Sequence, residues 1–228
     1  MSSTPDARPV ISRPDVEAAL VTTVDAGSPE GRLTVADEVV AHWRSAPWLD
    51  GLIALHCFTS TQSNNVLTYE QWASEESLGK SLADETGISR ARPGADPAAG
   101  SRSLVAYRLH KVVRGTAVGD PPPPARSFPI AAFPMENREA ARQWIEDLLK
   151  SEETVAGADR AYPGAIAANI HISLDGTSVL IFSEWLSEEQ AITHMRVLTR
   201  AMLADVGNSE EDLGFLYRHH ATLGGTTG

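Results

Sequence analysis

The residues best suited to chemistry in this chain are histidines set among apolar side chains, with tryptophans and an asparagine near them. His194 lies three residues after Ala191 and four before Leu198, so it borders the apolar stripe of a helix and faces whatever that stripe packs on. An imidazole there can serve as a proton acceptor or a hydrogen-bond donor, because its ordinary pKa is near neutrality; alternatively it is a core or rim histidine. Asn169 and His171 alternate with Ile170 and Ile172, which puts both polar side chains on one face of a strand, beside the small Ala167. Polar groups on an inner strand need partners, and a binding pocket would supply them. Trp72 and Trp185 end two strands; each either plugs the corner into the next helix or walls a pocket with its indole N–H toward a ligand. His56 is a further candidate, as are Tyr69 and Phe182, which occupy matching places in two related segments. Arg218 and His220, in the run Tyr217-Arg218-His219-His220, could steady an anionic oxygen, although an ion pair of the arginines with Glu70 or Glu184 is the simpler expectation.

Several classes of chemistry lack their residues. Cys57 is the only cysteine, so no intrachain disulfide and no multi-thiolate zinc site can form, and a small buried strand residue is the simple reading. His171, His194, His219 and His220 show no paired ligand spacing on a helix, so no metal is expected. There is neither a phosphate-cradling glycine motif nor a serine nucleophile elbow. A formal charge of −11 argues against a general nucleic-acid or anionic-membrane binder, which needs a basic surface. No run approaches the roughly 20 apolar residues of a bilayer span. The polar start lacks an apolar leader core, and a cytoplasmic location is the expectation.

The elements that must hold these residues come in two copies. Val66-Leu-Thr-Tyr-Glu-Gln-Trp72-Ala-Ser-Glu-Glu76 matches Val179-Leu-Ile-Phe-Ser-Glu-Trp185-Leu-Ser-Glu-Glu189 at an offset of 179 − 66 = 113, without a gap back to Gly51 and Gly164. Tyr107-Arg-Leu-His110 recurs as Tyr217-Arg-His-His220 at an offset of 110.

In the first copy, strands are expected over Val16–Val24, Gly51–Thr59, Val66–Trp72 and Leu104–Val113. Helices are expected over Thr34–Trp43 and from Ser74 onward. In the second, strands are expected over Phe128–Phe133, Ala165–Ile172, Val179–Trp185 and Leu213–Leu223, with a helix over Arg138–Leu149. A second helix opens on the capping box Ser187-Glu-Glu-Gln190, with Ala191, Met195, Leu198 and Met202 on its stripe. Asp175-Gly176 signals a hairpin turn.

Each copy thus reads β-α-β-β-α-β, the ferredoxin-like α+β plan. The expected domains are 14–118 and 127–226, joined by a stiff proline-rich linker at 119–126. The loop Arg90–Ser103 is either a plain connection or a lid over a cleft.

Glu184-Trp185-Leu-Ser-Glu-Glu-Gln-Ala-Ile-Thr-His194 resembles the antibiotic biosynthesis monooxygenase family, within the dimeric α+β barrel superfamily. The first copy departs from the pattern, with Gln71 in place of the acid and Ser81 in place of the histidine. The resemblance implies two tandem ferredoxin-like repeats closing into an intramolecular dimeric α+β barrel, an internal pseudo-dimer that could pair again as a homodimer. Each repeat would hold a pocket between sheet and helices.

It also implies an oxygenase that turns polycyclic aromatic polyketide-type hydroquinones or anthrones into quinones with O2 in antibiotic biosynthesis. Such an enzyme has no permanently bound metal or other cofactor, or uses reduced flavin as a co-substrate. On this view His194, Trp185, Asn169 and His171 are catalytic, and Trp72, His56, Tyr69, Phe182, Arg218 and His220 bind substrate, with the second repeat the better equipped. The alternatives are a non-catalytic barrel that binds an aromatic ligand, and a haem-binding or haem-degrading relative.

Overall fold

The computed structural model describes residues 8–83, 102–115, 119, 121, 123–155, 162–196 and 215–224. In chain order these form β1 (Ala18–Asp25), α1 (Gly31–Ser45), β2 (Leu52–Ser60), β3 (Asn65–Trp72), α2 (Glu75–Ala83) and β4 (Arg102–Arg114). There follow β5 (Phe128–Pro134), α3 (Arg138–Val155), β6 (Ala165–Ser173), β7 (Ser178–Trp185), a helical stretch at 188–196 (α4), and β8 (Phe215–Gly224). The fold is mixed α+β, and the order β-α-β-β-α-β occurs twice, as the hydrophobic periodicities predict. Leu198 and Met202, expected on the α4 stripe, and most of the loop Arg90–Ser103 lie outside the described residues. No described helix is long and apolar enough to cross a membrane.

The chain divides into two compact units, residues 1–108 with 218–228, and residues 109–217. In the first unit the strand order is β4-β1-β3-β2-β8, and in the second β8-β5-β7-β6-β4, with β4 and β8 each contributing the residues that fall in that unit. Antiparallel registers set the faces. β1 pairs with β3 from Ala18↔Trp72 to Asp25↔Asn65, and β2 pairs with β3 so that His56 lies opposite Tyr69. In the second unit Asn169 lies opposite Phe182, and His171 opposite Leu180.

The same corner is built in both units. Bulges fall between Leu52 and Ala54 in β2 and between Ala165 and Ala167 in β6, positions that differ by 113. Gly51 and Gly164, just before them, have φ of +79° and +88°, a left-handed conformation that favours glycine. Their carbonyls accept the N–H groups of Ala73 and Leu186 at 2.8 and 2.9 Å, tying the end of one strand to the start of its neighbour. A side chain at Gly51 would overlap Ser77, and one at Gly164 would overlap Gln190, residues again 113 apart. This close approach seats the helix that follows Trp72 or Trp185 against the sheet. Ser74 caps α2 by accepting the Ser77 N–H at 3.0 Å, and Ser187 caps α4 by accepting the Gln190 N–H at 3.3 Å.

In the second unit Ala141 and Ile145 of α3 pack on Ile170, Ile172 and Val179 in an apolar cluster. In the first, Val39, Val40 and Trp43 of α1 are buried.

Candidate functional site

Strand parity divides the sequence-predicted residues of the second unit between the two faces of its sheet. Trp185 shares the helix-covered face with Val179 and Ile181, and packs with Ala165, Ala191 and Leu216. Asn169, His171, Phe182 and Glu184 point to the opposite face. The four residues expected to act together are therefore two pairs.

The first pair is Trp185 and His194. The Ser187 cap starts α4, and His194 falls two turns later over the end of β7. Its ring centroid lies 4.8 Å from Trp185 at an interplanar angle of 33°, and 4.3 Å from Tyr162, which meets it edge-on at 66°. Ile192 and Met195 pack beside this cluster. Burial among apolar groups penalises the imidazolium and holds the His194 pKa down at about 4, so the ring is neutral at pH 7. Its Nδ1 is buried and has no hydrogen-bond partner among the described residues. A neutral nitrogen with unused capacity, set between an indole and a phenol ring, can bond a hydroxyl or accept a proton from an aromatic ligand.

The second pair is internally committed. Asn169, fully buried, donates through Nδ2 to the Phe182 carbonyl at 3.1 Å and to Glu184 Oε1 at 2.8 Å. Those two bonds fix the amide, and its Oδ1 has no partner among the described residues. Burial raises the Glu184 pKa, while Asn169 and then Arg114 oppose the shift. His171, also fully buried, donates from Nδ1 to the Asn169 carbonyl at 3.0 Å, and burial holds its pKa at about 4. Phe182 is buried edge-on to Phe128 with ring centroids 6.0 Å apart.

In the first unit, His56 and Tyr69 lie on the face away from α1, with rings stacked at 6.2 Å. Gln71 donates through Nε2 to the carbonyls of Val10 and Ile11 at 2.9 and 3.0 Å, which turns its Oε1 toward His56 Nε2 at 3.1 Å. His56 Nε2 is then the donor, and Nδ1 accepts from the Thr222 hydroxyl at 2.8 Å. Thr222 in turn accepts from His219 Nε2 at 2.8 Å. His56 is thus saturated in place, and burial brings its pKa to about 4.

Trp72 is buried on the α1 side, where its indole Nε1 donates to Glu70 Oε2 at 3.3 Å, so that N–H is spent on the protein. His220 Nε2 meets Asp37 Oδ1 of α1 at 2.9 Å, and Arg218 is exposed. The expected pairing of Arg108 with Glu70 does not form. Glu70 is buried under α1, whereas Arg108 is exposed and pairs with Glu75 and, at 3.5 Å, Glu17.

Sequence reasoning missed Tyr162 and the environment of Glu70. Tyr162 precedes the Pro163-Gly164 corner, and the equivalence of that corner with Gly51 was the available signal. Glu70 shares its strand face with Val66, Thr68 and Trp72, a carboxyl on an otherwise buried stripe. Between this face and α1 lies a cavity lined by Thr22, Thr68 and Glu70 below and by Val39 and Trp43 above, with Val24 and Val66 at its sides. Among the described residues no three His, Cys, Asp or Glu side chains converge to hold a metal ion.

No protein-family model matches the chain, and no curated protein matches its sequence. Among solved structures it is similar to an anthrone oxidase-like protein, with 19% identity over 95% of this chain and 96% of that one and a TM-score of 0.70. It is also similar to a protein of Fusobacterium nucleatum subsp. nucleatum described as a candidate monooxygenase, with 9% identity over 93% of this chain and 99% of that one and a TM-score of 0.51. At these identities the likeness shows a shared α+β fold along nearly the whole chain.

Proposed function

We propose that the chain is an oxygenase that oxidises a polycyclic aromatic hydroquinone or anthrone of polyketide type with O2, in antibiotic or other secondary-metabolite biosynthesis. On this proposal the two βαββαβ halves are tandem repeats forming an intramolecular dimeric α+β barrel, and the second supplies the reacting groups. The observation that carries it is His194: a neutral imidazole beside Trp185 and Tyr162, with a buried Nδ1 that has no hydrogen-bond partner among the described residues. The likeness to an anthrone oxidase-like protein and a candidate monooxygenase supports the choice of reaction.

The chemistry needs a base, a flat apolar slot and little water. His194 takes a proton from the anthrone methylene, leaving a delocalised carbanion against the Trp185 and Tyr162 rings. The imidazolium is disfavoured in the empty site, but an anion beside it offsets that penalty, so proton transfer and substrate binding support each other. The carbanion passes one electron to O2, and the two radicals combine into a hydroperoxide. Loss of water then gives the ketone, so that ArCH2 and O2 become ArC=O and H2O. With a hydroquinone, two electrons and two protons pass to O2 and hydrogen peroxide leaves. Asn169, His171 and Phe182 set the strand that ends at Trp185. His56, Tyr69 and Trp72 hold the first repeat, and Arg218 and His220 lie at its periphery.

The test is oxygen uptake by metal-stripped protein given anthrone or naphthohydroquinone, with and without reduced flavin. Uptake above the no-enzyme rate that falls at least tenfold in His194→Ala supports the proposal. Uptake only with flavin supports the flavin-assisted form. Saturable ligand binding with no turnover in either condition would favour the non-catalytic barrel, a reading that rests on the low basicity of His194.

A further inference from the structure

The cavity under α1 in the first unit has two hydroxyls and a carboxyl on its floor, and the matching strand positions of the second unit hold no carboxyl. Thr22 and Thr68 are Cα partners on adjacent strands, and Glu70 follows two residues after Thr68, so two hydroxyls and a carboxyl lie side by side. At the positions 113 further on, Thr68 becomes Ile181, which packs against the apolar cluster under α3, and Glu70 becomes Ser183, a hydroxyl in place of a carboxyl. All three floor residues are buried, Glu70 to 1% and Thr22 to 3% exposure. Glu70 receives the Trp72 indole N–H, whereas Thr22 Oγ1 has no hydrogen-bond partner among the described residues although it borders the cavity. The cavity volume is about 10 Å³, room for one oxygen atom.

We propose that this cavity is a binding site for a single hydroxyl oxygen, which donates to the Glu70 carboxyl and satisfies the Thr22 hydroxyl. A buried carboxyl that shares a hydrogen with an exchangeable oxygen is a proton-handling pair, separate from His194 and independent of the oxygenase reading. Val24, Val39 and Val66 offer that oxygen no polar partner, so apart from the Trp43 indole N–H its bonds go to the floor. The oxygen comes either from water or from a small phenol or alcohol that reaches the same floor.

The sign of one substitution separates an occupied site from an empty one. In an empty cavity Thr22→Val removes a desolvated, unsatisfied hydroxyl and raises the melting temperature. In an occupied one it strips the bound oxygen of a partner, and the melting temperature falls by roughly 2–4 °C. Glu70→Gln is combined with it in a double-mutant cycle at neutral pH, with Ser183→Ala as the matched control in the second unit. The expected result is a fall in Thr22→Val, non-additive with Glu70→Gln, and an ordered oxygen between the two side chains in a crystal structure of the full chain. Phenol added to the wild type assigns the source: a saturable rise in melting temperature that Thr22→Val abolishes marks a ligand hydroxyl, and no change marks water. A rise in Thr22→Val, or strictly additive effects with no density between Thr22 and Glu70, overturns the site. Because no turnover is measured, these outcomes do not depend on whether the chain consumes oxygen.

Discussion

Acidifying the protein should cost stability well above the pH at which carboxylates titrate, and two of its buried histidines, His56 and His171, carry a large part of that cost. His56 is 2% exposed and His171 is 0% exposed, and burial lowers both from 6.5 to about 4. Below pH 6.5 the unfolded chain binds protons that the folded chain refuses. The stability contributed by each neutral ring is therefore complete above 6.5, falls as the pH falls, and is lost by about 4. One proton taken up on unfolding corresponds to a slope of about 1.4 kcal/mol per pH unit. At pH 5 each histidine has cost about 2 kcal/mol, and the two together about 4 kcal/mol, a large share of the ~5–15 kcal/mol typical of a domain. Urea unfolding followed by circular dichroism at pH 7.5, 6.5, 5.8 and 5.0 measures the slope directly. His56→Gln and His171→Gln should each reduce it by about 1.4 kcal/mol per pH unit in the transition that contains the residue. Stability that stays level from pH 7.5 to 5.0, or a slope unchanged in both variants, would mean that the two rings do not resist protonation in the fold.

Three further outcomes are expected. Gly164→Ala forces a left-handed backbone on alanine and drives its Cβ into Gln190, so thermal unfolding should show a loss of about 1–3 kcal/mol, with a similar loss for Gly51→Ala against Ser77. Trp72→Phe withdraws the indole N–H from buried Glu70 and trims the core, and should cost about 1–3 kcal/mol by urea denaturation; a neutral result would mean the bond contributes nothing. Glu184→Gln removes a carboxyl whose ionisation burial disfavours while keeping an oxygen for Asn169. The raised pKa means that the ionised wild type is penalised as pH rises, so the variant should be the more stable at pH 7, with the gain vanishing below pH 4.

The fold was legible because its signals are local and repeated. Apolar spacing over α1 and α3, alternation in β3 and β7, serine caps at Ser74 and Ser187, and the turn at Asp175-Gly176 each follow from a few neighbouring residues. The offset of 113 located the glycine corner twice. The site was legible only in part. Strand parity placed Asn169 and His171 together, yet the same parity, carried one strand over, puts Trp185 on the other face. Grouping all four as one site took nearness in type for nearness in space. Partnering was not readable at all: that Trp72 spends its N–H on Glu70, or that Gln71 fixes the His56 tautomer, depends on side chains brought together by register. Arg108 finds Glu17 and Glu75 because an exposed guanidinium pairs with acids it can reach in water, while Glu70 is sealed under α1.

His194 and its aromatic neighbours are proposed to perform the oxidation. Single-turnover oxygen consumption with anthrone, using metal-stripped wild type, His194→Ala and Trp185→Phe, decides it. The expected result is consumption by the wild type, a loss of at least tenfold in His194→Ala, and a smaller loss in Trp185→Phe, which keeps the aromatic wall. Full activity in His194→Ala together with its loss in Trp72→Phe or Glu70→Gln would contradict the claim and move the chemistry to the first unit.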